Sequence, residues 1–337
     1  MFNAFKALVM SALARRAKRV DRKNSADIHR LLNGEAIRMI DVGASGGILP
    51  RWNPYQADIA FVGLEPDSRS FRQLQVSEDA KQFNSYKLIP WGAWNTEGKI
   101  NISFTRKPMC SSHYQPNTAF LSRFQSAERF EVVGSGEVEC QTLDSFQADL
   151  GDGVDFIKLD LEGGELAVLQ GAKSVLGTCL GLHVEVCFQH LRVGQPLFGD
   201  ITAFLVNQGL EFVDFVTMMR WERDHFREIG QAVFADALYL RSPEGVIDMI
   251  GSGALAKSRA TRYLAILAIY DRVDLAVRFL ELAKAAGVFP DSAYLSQAQA
   301  MMARKAALMD KRIRFLNRLS FAYAQWSNPN SALHYIY

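Results

Sequence analysis

Chemistry concentrates in three short segments of the chain. The first, IDVGASGG at residues 40–47, closes an apolar run with an aspartate and a glycine-rich turn. Glycines tolerate positive φ and leave main-chain amides uncovered, so a ligand can approach the backbone closely. A dinucleotide-binding turn needs glycine at its first, third and sixth positions. Counted from Gly43, the third is Ser45 and the sixth is Ile48, which weighs against a nicotinamide cofactor. The second segment is FVGLEPD, whose Glu65 follows Gly43 by 22 residues. A carboxylate at the end of the neighbouring strand can accept hydrogen bonds from both hydroxyls of a ribose. The third, DFIKLDLEGGELAVLQGA at 155–172, brings Asp160 and Glu162 to the end of a strand and starts a helix at once. Glu165 sits in the first turn of that helix, where the dipole and the free amides are explanation enough. Asp160 needs another reason, because ligands of open α/β sheets bind outside the carboxyl ends of the strands.

These positions require a scaffold. From residue 36 to about 241, β-rich runs alternate with helical patterns, the signature of an α/β domain built on a parallel sheet. Strands are expected at 36–44, 59–67, 86–94, 99–105, 137–146, 155–163, 181–188, 211–217 and 231–241. One helix is expected through ELAVLQGAKSVLG, capped by Gly177, and another around 199–208. After Pro243 the pattern turns helical, from about 252 to 325, rich in Ala, Leu and Arg, with turn signals at Gly287 and Pro290. Packed helical hairpins fit this stretch, and the absence of a low-complexity linker predicts that it packs on the α/β core.

The combination of IDVGASGG, GLEPD, the loop CSSHYQPN, TLDSF and IKLDLEGGELAVLQGA followed by HVEVCF resembles the FkbM-like family of S-adenosylmethionine-dependent class I methyltransferases, over roughly residues 36–241. The resemblance implies a Rossmann-like seven-stranded sheet, S-adenosylmethionine as cofactor, and O-methylation of a sugar, glycan or related metabolite. By position, Asp41, Gly43, Ser45 and Gly47 would wrap the methionine and ribose side of the donor. Glu65 would hold the ribose, and Asp160 with Glu162 would line the donor and transfer site. Where the family more often has Ala, this chain has Gly164. Transfer to a hydroxyl needs a base, for which the sequence offers His190 first, just past HVEVCF, then His113 in the SSHYQP loop, and Asp160. His183 alternates into a buried strand and reads as structural. Ser111, Ser112 and Tyr114 are placed to cover the site. Asp160 and Glu185 form too sparse a set of oxygen ligands to predict a metal.

The organisation expected is therefore a basic amphipathic N-terminal helix at 1–30, a methyltransferase domain at 31–246 and a helical C-terminal extension at 247–337. Composition agrees with a folded chain: of 337 residues, 49% are hydrophobic and 22% charged, which excludes a largely disordered protein. The formal charge of +2 hides a division into +6 over 1–30, −10 over 31–246 and +6 over 247–337. An acidic core argues against nucleic acid as a partner. Phe2, Phe5, Leu8, Val9 and Leu13 recur at helical spacing ahead of Arg15, Arg16, Lys18 and Arg19. That segment packs on the body or, within residues 1–24, makes peripheral contact with the inner face of an anionic membrane. Cys110, Cys140, Cys179 and Cys187 are scattered without zinc-like spacing, which points to reduced thiols and a cytoplasmic location. The C-terminal helices are the expected route to any oligomer. Two other functions remain open at this point: a non-catalytic scaffold or membrane-recruited binding protein on the same fold, and a nucleotide-sugar oxidoreductase.

Overall fold

The computed structural model describes residues 25–150, 153–223, 230–289 and 291–307, with the side chains of 147–150 excluded. Residues 1–24, on which the expected membrane contact rests, and the helical pattern beyond 307 lie outside the described residues. In chain order the first elements are α1 (25–32), β1 (Ile37–Val42), β2 (Ile59–Leu64), α2 (Ser68–Gln75), β3 (Ser85–Ile89), β4 (Gly92–Ala93), β5 (Gly98–Thr105), α3 (Thr118–Leu121) and β6 (Val132–Gln141). Then come β7 (Phe156–Leu159), α4 (Glu165–Gln170), α5 (Lys173–Thr178), β8 (Gly181–Cys187), α6 (Phe198–Asn207), β9 (Glu211–Trp221) and β10 (Gln231–Leu240). Four helices close the described chain: α7 (Pro243–Gly251), α8 (Arg259–Ile269), α9 (Val273–Ala285) and α10 (292–307).

Seven strands form one sheet in the order β3-β2-β1-β7-β8-β10-β9. β1, β2, β3, β7 and β8 run parallel, and β10 returns antiparallel between β8 and β9. β1 and β7 are buried on both faces, which is why their sequences read as nearly continuous apolar runs. The chain winds outward from β1 to β3 and then restarts on the other side of β1 with β7. The crevice at the ends of β1 and β7 is thus the switch point where an open sheet binds ligand.

Two departures from the expected elements have local causes. The run 86–94 is broken at Pro90, which has no N–H to offer a ladder. β3 therefore stays in the large sheet, while β4 joins β5 and β6 in a separate three-stranded sheet. The expected 99–105 and 137–146 strands thus lie outside the large sheet. The helix after β7 is also interrupted. It ends as α4 at Gly171, where a Cβ would overlap the main-chain carbonyl oxygen of Trp94, and resumes as α5, which runs past Gly177 to Thr178.

One face of the sheet is covered by α4, α5 and α6 through Val168, Leu169, Val175, Leu176, Ile201 and Leu205. The other face is covered by α1 and the C-terminal helices, where Ile37, Met39, Phe61, Phe156 and Leu238 share one core with Tyr263, Ile266, Tyr270, Phe279 and Met302. Ten of the eleven residues of α8 are buried, Thr261 being the exception, the mark of a helix enclosed on nearly every side. Asp155, fully buried just before β7, accepts from the Arg38 amide at 2.9 Å, from Arg259 Nε at 2.9 Å and from Arg262 Nη1 at 3.4 Å. The helical layer is therefore bolted to the foot of the central strand. No described helix is long and apolar enough to cross a membrane.

Candidate active site

The site is built from the carboxyl ends of β1, β2, β7 and β8. After β1 the chain turns sharply, and the amides of Gly43 and Ala44 both donate to the carbonyl of Leu64, each at 3.1 Å. Gly43 holds φ +77° and is packed so closely against β7 that a Cβ would overlap the carbonyl oxygen of Asp160. Gly46 and Gly47 hold φ +88° and +82° with nothing within 4 Å of where a Cβ would project. The turn is tight on its sheet side and open on its outer side, a cradle that a ligand can enter. Ser45 is exposed there, with its hydroxyl 3.3 Å from that of Ser70.

Glu65 is buried one strand over, where its carboxylate accepts from the amides of Asp67, at 2.8 Å, and of Ser45. Burial raises its pKa, the two amides opposing. The same carboxylate retains lone pairs for further donors, as a ribose diol would require.

Asp41 is fully buried beneath the turn. Its closest counter-charge is Lys158 Nζ, 3.1 Å from Oδ1. Burial pushes Asp41 up to about 6, with the lysine pulling the other way. Lys158 is itself buried, donates to the Gly43 carbonyl at 3.0 Å and lies 3.6 Å from Asp160 Oδ2. Asp41 and Lys158 are direct partners across the β1–β7 pairing, and Lys158 and His183 are partners across β7–β8. His183 lies within 3.5 Å of Asp236 and 3.2 Å of the Tyr270 hydroxyl, so a polar row crosses the sheet one layer below the strand ends.

Beyond β7, Asp160 is exposed and Glu162 adopts φ +57°. Glu162 pairs with Arg192, whose guanidinium is fully buried and also donates to the Cys110 carbonyl at 3.1 Å. Glu165, in the first turn of α4, accepts from the amides of Leu161 and Gly163 at 2.7 and 3.3 Å and so braces the loop ahead of the helix, whose own N-terminal amides receive no side-chain cap. On β8, Glu185 is raised well above the usual carboxylate range, first by burial and then by the charges of Glu162, Asp160 and Glu165. Several carboxylates therefore crowd the rim, though among the described residues no group has the geometry of a metal site.

The loop 110–117 is tied to this rim. Ser112 Oγ donates to the Glu162 carbonyl at 2.8 Å and accepts from the Tyr114 amide at 3.0 Å, while Tyr114 packs on Gly163. His113 is exposed, with its ring 5.0 Å from that of Trp94 and its Nδ1 3.0 Å from the Asn101 carbonyl. His190 is also exposed; its carbonyl accepts from Asn117 Nδ2, and no described contact ties its ring to the rim. Trp94 lies so near Gly164 that a Cβ would come within 2.8 Å of its ring. Alanine there must displace the tryptophan.

Of the residues singled out from sequence, the fold gathers Asp41, Gly43, Ser45, Gly47, Glu65, Asp160 and Glu162 about one crevice and brings His113 to its edge. Sequence reasoning missed Lys158 and Arg192. A lysine amid Ile157, Leu159 and other apolar residues was the available signal, since a charge in a doubly buried strand must find a partner.

A seven-stranded sheet of this order, with a glycine turn after β1 and carboxylates at the ends of β2 and β7, defines a Rossmann-like methyltransferase that uses S-adenosylmethionine. Residues 55–212 match the family model of the methyltransferase FkbM domain. The match begins after the glycine turn and stops at the start of β9. Among solved structures, the chain is similar to magnesium protoporphyrin IX methyltransferase from Synechocystis PCC 6803, with 11% identity, 66% of this chain and 79% of that chain covered, and a TM-score of 0.35. It is also similar to precorrin-6y C5,15-methyltransferase from Geobacter metallireducens GS-15 (10%, 65% and 88%, 0.32). A third is the N-terminal domain of EvdMO1, solved in the presence of SAH and D-fucose (9%, 66% and 82%, 0.32). A comparison with curated proteins found no match. At such low identities and scores, the observed strand order and the family match carry the assignment.

The residues present fit the donor. S-adenosylmethionine bears a cationic sulfonium and an ammonium, and the crevice presents Asp160 and Glu65 around an open glycine turn, with the buried Asp41 carboxylate, paired to Lys158, beneath it.

Proposed function

We propose that the protein transfers a methyl group from S-adenosylmethionine to a hydroxyl of a sugar, glycan or related polyhydroxylated metabolite. The carboxylate rim of Asp160, Glu162 and Glu185 beside the glycine turn carries this reading. Carboxyl groups exchange hydrogen bonds with neighbouring hydroxyls, and the exposed Asp160 carboxylate repels phosphate, which favours a neutral polyol over a nucleic acid.

Asp41, Gly43, Ser45 and Gly47 hold the methionine side of the donor, and Glu65 holds the ribose. The donor supplies an electrophilic methyl on sulfur. The acceptor oxygen forms its bond to carbon as the carbon–sulfur bond breaks, and the hydroxyl proton passes to a base. His113 is the better base on geometry. A carbonyl can only accept, so the Asn101 contact puts the proton on Nδ1 and leaves the Nε2 lone pair of the neutral ring free. Asp160 orients the acceptor hydroxyl. His190, which the sequence ranks first, has no comparable contact to set its tautomer.

Titration calorimetry of the full chain with S-adenosylmethionine and S-adenosylhomocysteine tests the donor. Screening monosaccharides and glycans with methyl-labelled donor, then locating the label by mass spectrometry, tests the acceptor. Donor binding with label only on nitrogen or carbon would defeat the hydroxyl assignment. Absence of donor binding would leave the scaffold reading standing.

A further inference from the structure

We infer that Lys158 is a positioning residue of the donor site, holding the Asp41 carboxylate and the Gly43 carbonyl in the arrangement that receives the methyl donor. This rests on the reading of the glycine turn as that site. β7 is buried throughout, and an ammonium in such a strand is costly unless it is paired and hydrogen-bonded. Apolar side chains occupy the other three positions of the strand. All three groups that Lys158 Nζ meets belong to the crevice: Gly43 O at 3.0 Å, Asp41 Oδ1 at 3.1 Å and Asp160 Oδ2 at 3.6 Å.

The contact to Gly43 fixes the peptide at which the turn begins, on a residue already held at positive φ. The contact to Asp41 supplies the nearest counter-charge to a fully buried carboxylate and keeps it charged. The groups that face Asp41 are Lys158 from β7, Asp160 just beyond it and His183 from β8, while Tyr86 on β3 feels its charge. Lys158 is the strongest of these and the largest opponent of the rise that burial imposes. Without the ammonium, Asp41 takes up its proton at higher pH, and the site loses negative charge that favours a cationic donor.

The test is donor affinity against pH for the full chain, measured by calorimetry with S-adenosylmethionine. Wild type should bind, with affinity falling as pH drops through about 6. Lys158→Met should bind at least about tenfold more weakly at neutral pH, the scale on which contacting groups couple, with its acid limb moved to higher pH. Asp41→Asn should lack the limb, and Asp41→Asn/Lys158→Met should differ little from Asp41→Asn alone. Lys158→Gln restores a hydrogen-bond donor without charge and serves if the methionine variant does not fold. It should lose affinity and show the displaced limb. A folded Lys158→Met or Lys158→Gln with wild-type affinity and pH profile would overturn the inference. Failure of the wild type to bind donor at any pH would instead overturn the reading of the turn itself.

Discussion

The main-chain carbonyl oxygen of Asp160 occupies the space that a side chain on residue 43 would need. β1 and β7 close on each other at their ends only because Gly43 is bare, and Lys158 reaches the Gly43 carbonyl across the same gap. Gly43→Ala must therefore push β7 away while holding φ +77°. A non-glycine residue in that region costs about 1–3 kcal/mol before any overlap is counted. The variant should be destabilised by at least that much in urea unfolding. Gly47→Ala faces open space and suffers only the φ penalty, so its fold should be less affected. If both variants lose equal stability, the close approach of Asp160 is not what selects glycine at 43.

The buried carboxylate below that turn makes stability depend on pH in an unusual direction. Asp41 is raised from 3.8 to about 6, so between those values the folded state binds its proton more tightly than the unfolded chain. Its contribution is most favourable below about pH 4 and is lost as pH rises through about 6. Asp236, held low by His183 and Thr217 against its own burial, acts in the opposite sense and loses its contribution as pH falls. Comparing Asp41→Asn with wild type isolates the first effect. The melting temperature of the variant, relative to wild type, should climb from pH 4 to pH 6.5 and level off above. A difference that stays flat or falls over this window would contradict the burial of an ionising Asp41.

The parts of this site that sequence could reveal are those where residue type and chain direction coincide. Asp41, Gly43 and Glu65 each end an apolar run, and a parallel sheet puts such ends side by side. Lys158 was harder because its role depends on register: only pairing β1 with β7 sets it opposite Asp41. Arg192 lies in a loop with no pattern of its own, and its partner Glu162 is thirty residues away. The split into two sheets followed from one proline, which broke an apparently continuous strand at residue 90. The missing linker pointed to C-terminal helices packed on the core, but not to how deeply: RATRYLAILAI is buried at every position except Thr261, with Arg259 and Arg262 turned inward to a carboxylate.

His113 and His190 can be separated by kinetics. Both are exposed, so replacing either should leave the fold intact. Removal of a general base typically costs about 10²–10⁴ in rate. His113→Gln should lower single-turnover methyl transfer within that range while leaving donor affinity near wild type, because its contacts are to Asn101, Trp94 and Tyr114 and not to the glycine turn. His190→Gln should change the rate little. The reverse ranking would move the base to the end of β8, and equal small effects would leave Asp160 as the proton acceptor.

Asp155 decides whether the helical layer can be separated from the sheet. Its carboxylate takes Arg259 and Arg262 at the foot of β7, all three groups are buried, and Arg259 also donates to the Val154 carbonyl at 2.5 Å. Breaking a buried pair leaves a charge without a partner, at a cost of about 3–5 kcal/mol. Asp155→Ala should lose stability on that scale, although it lies at the opposite end of β7 from the glycine turn. The same geometry predicts that wild type unfolds in one cooperative transition, since α8 and α9 share a core with β1, β7 and β10. A chain ending at residue 251 should expose Met39, Phe156 and Leu238 and fail to fold. Two resolved transitions in denaturant, or a soluble and folded truncated chain that binds donor, would show that the helices are a separable module.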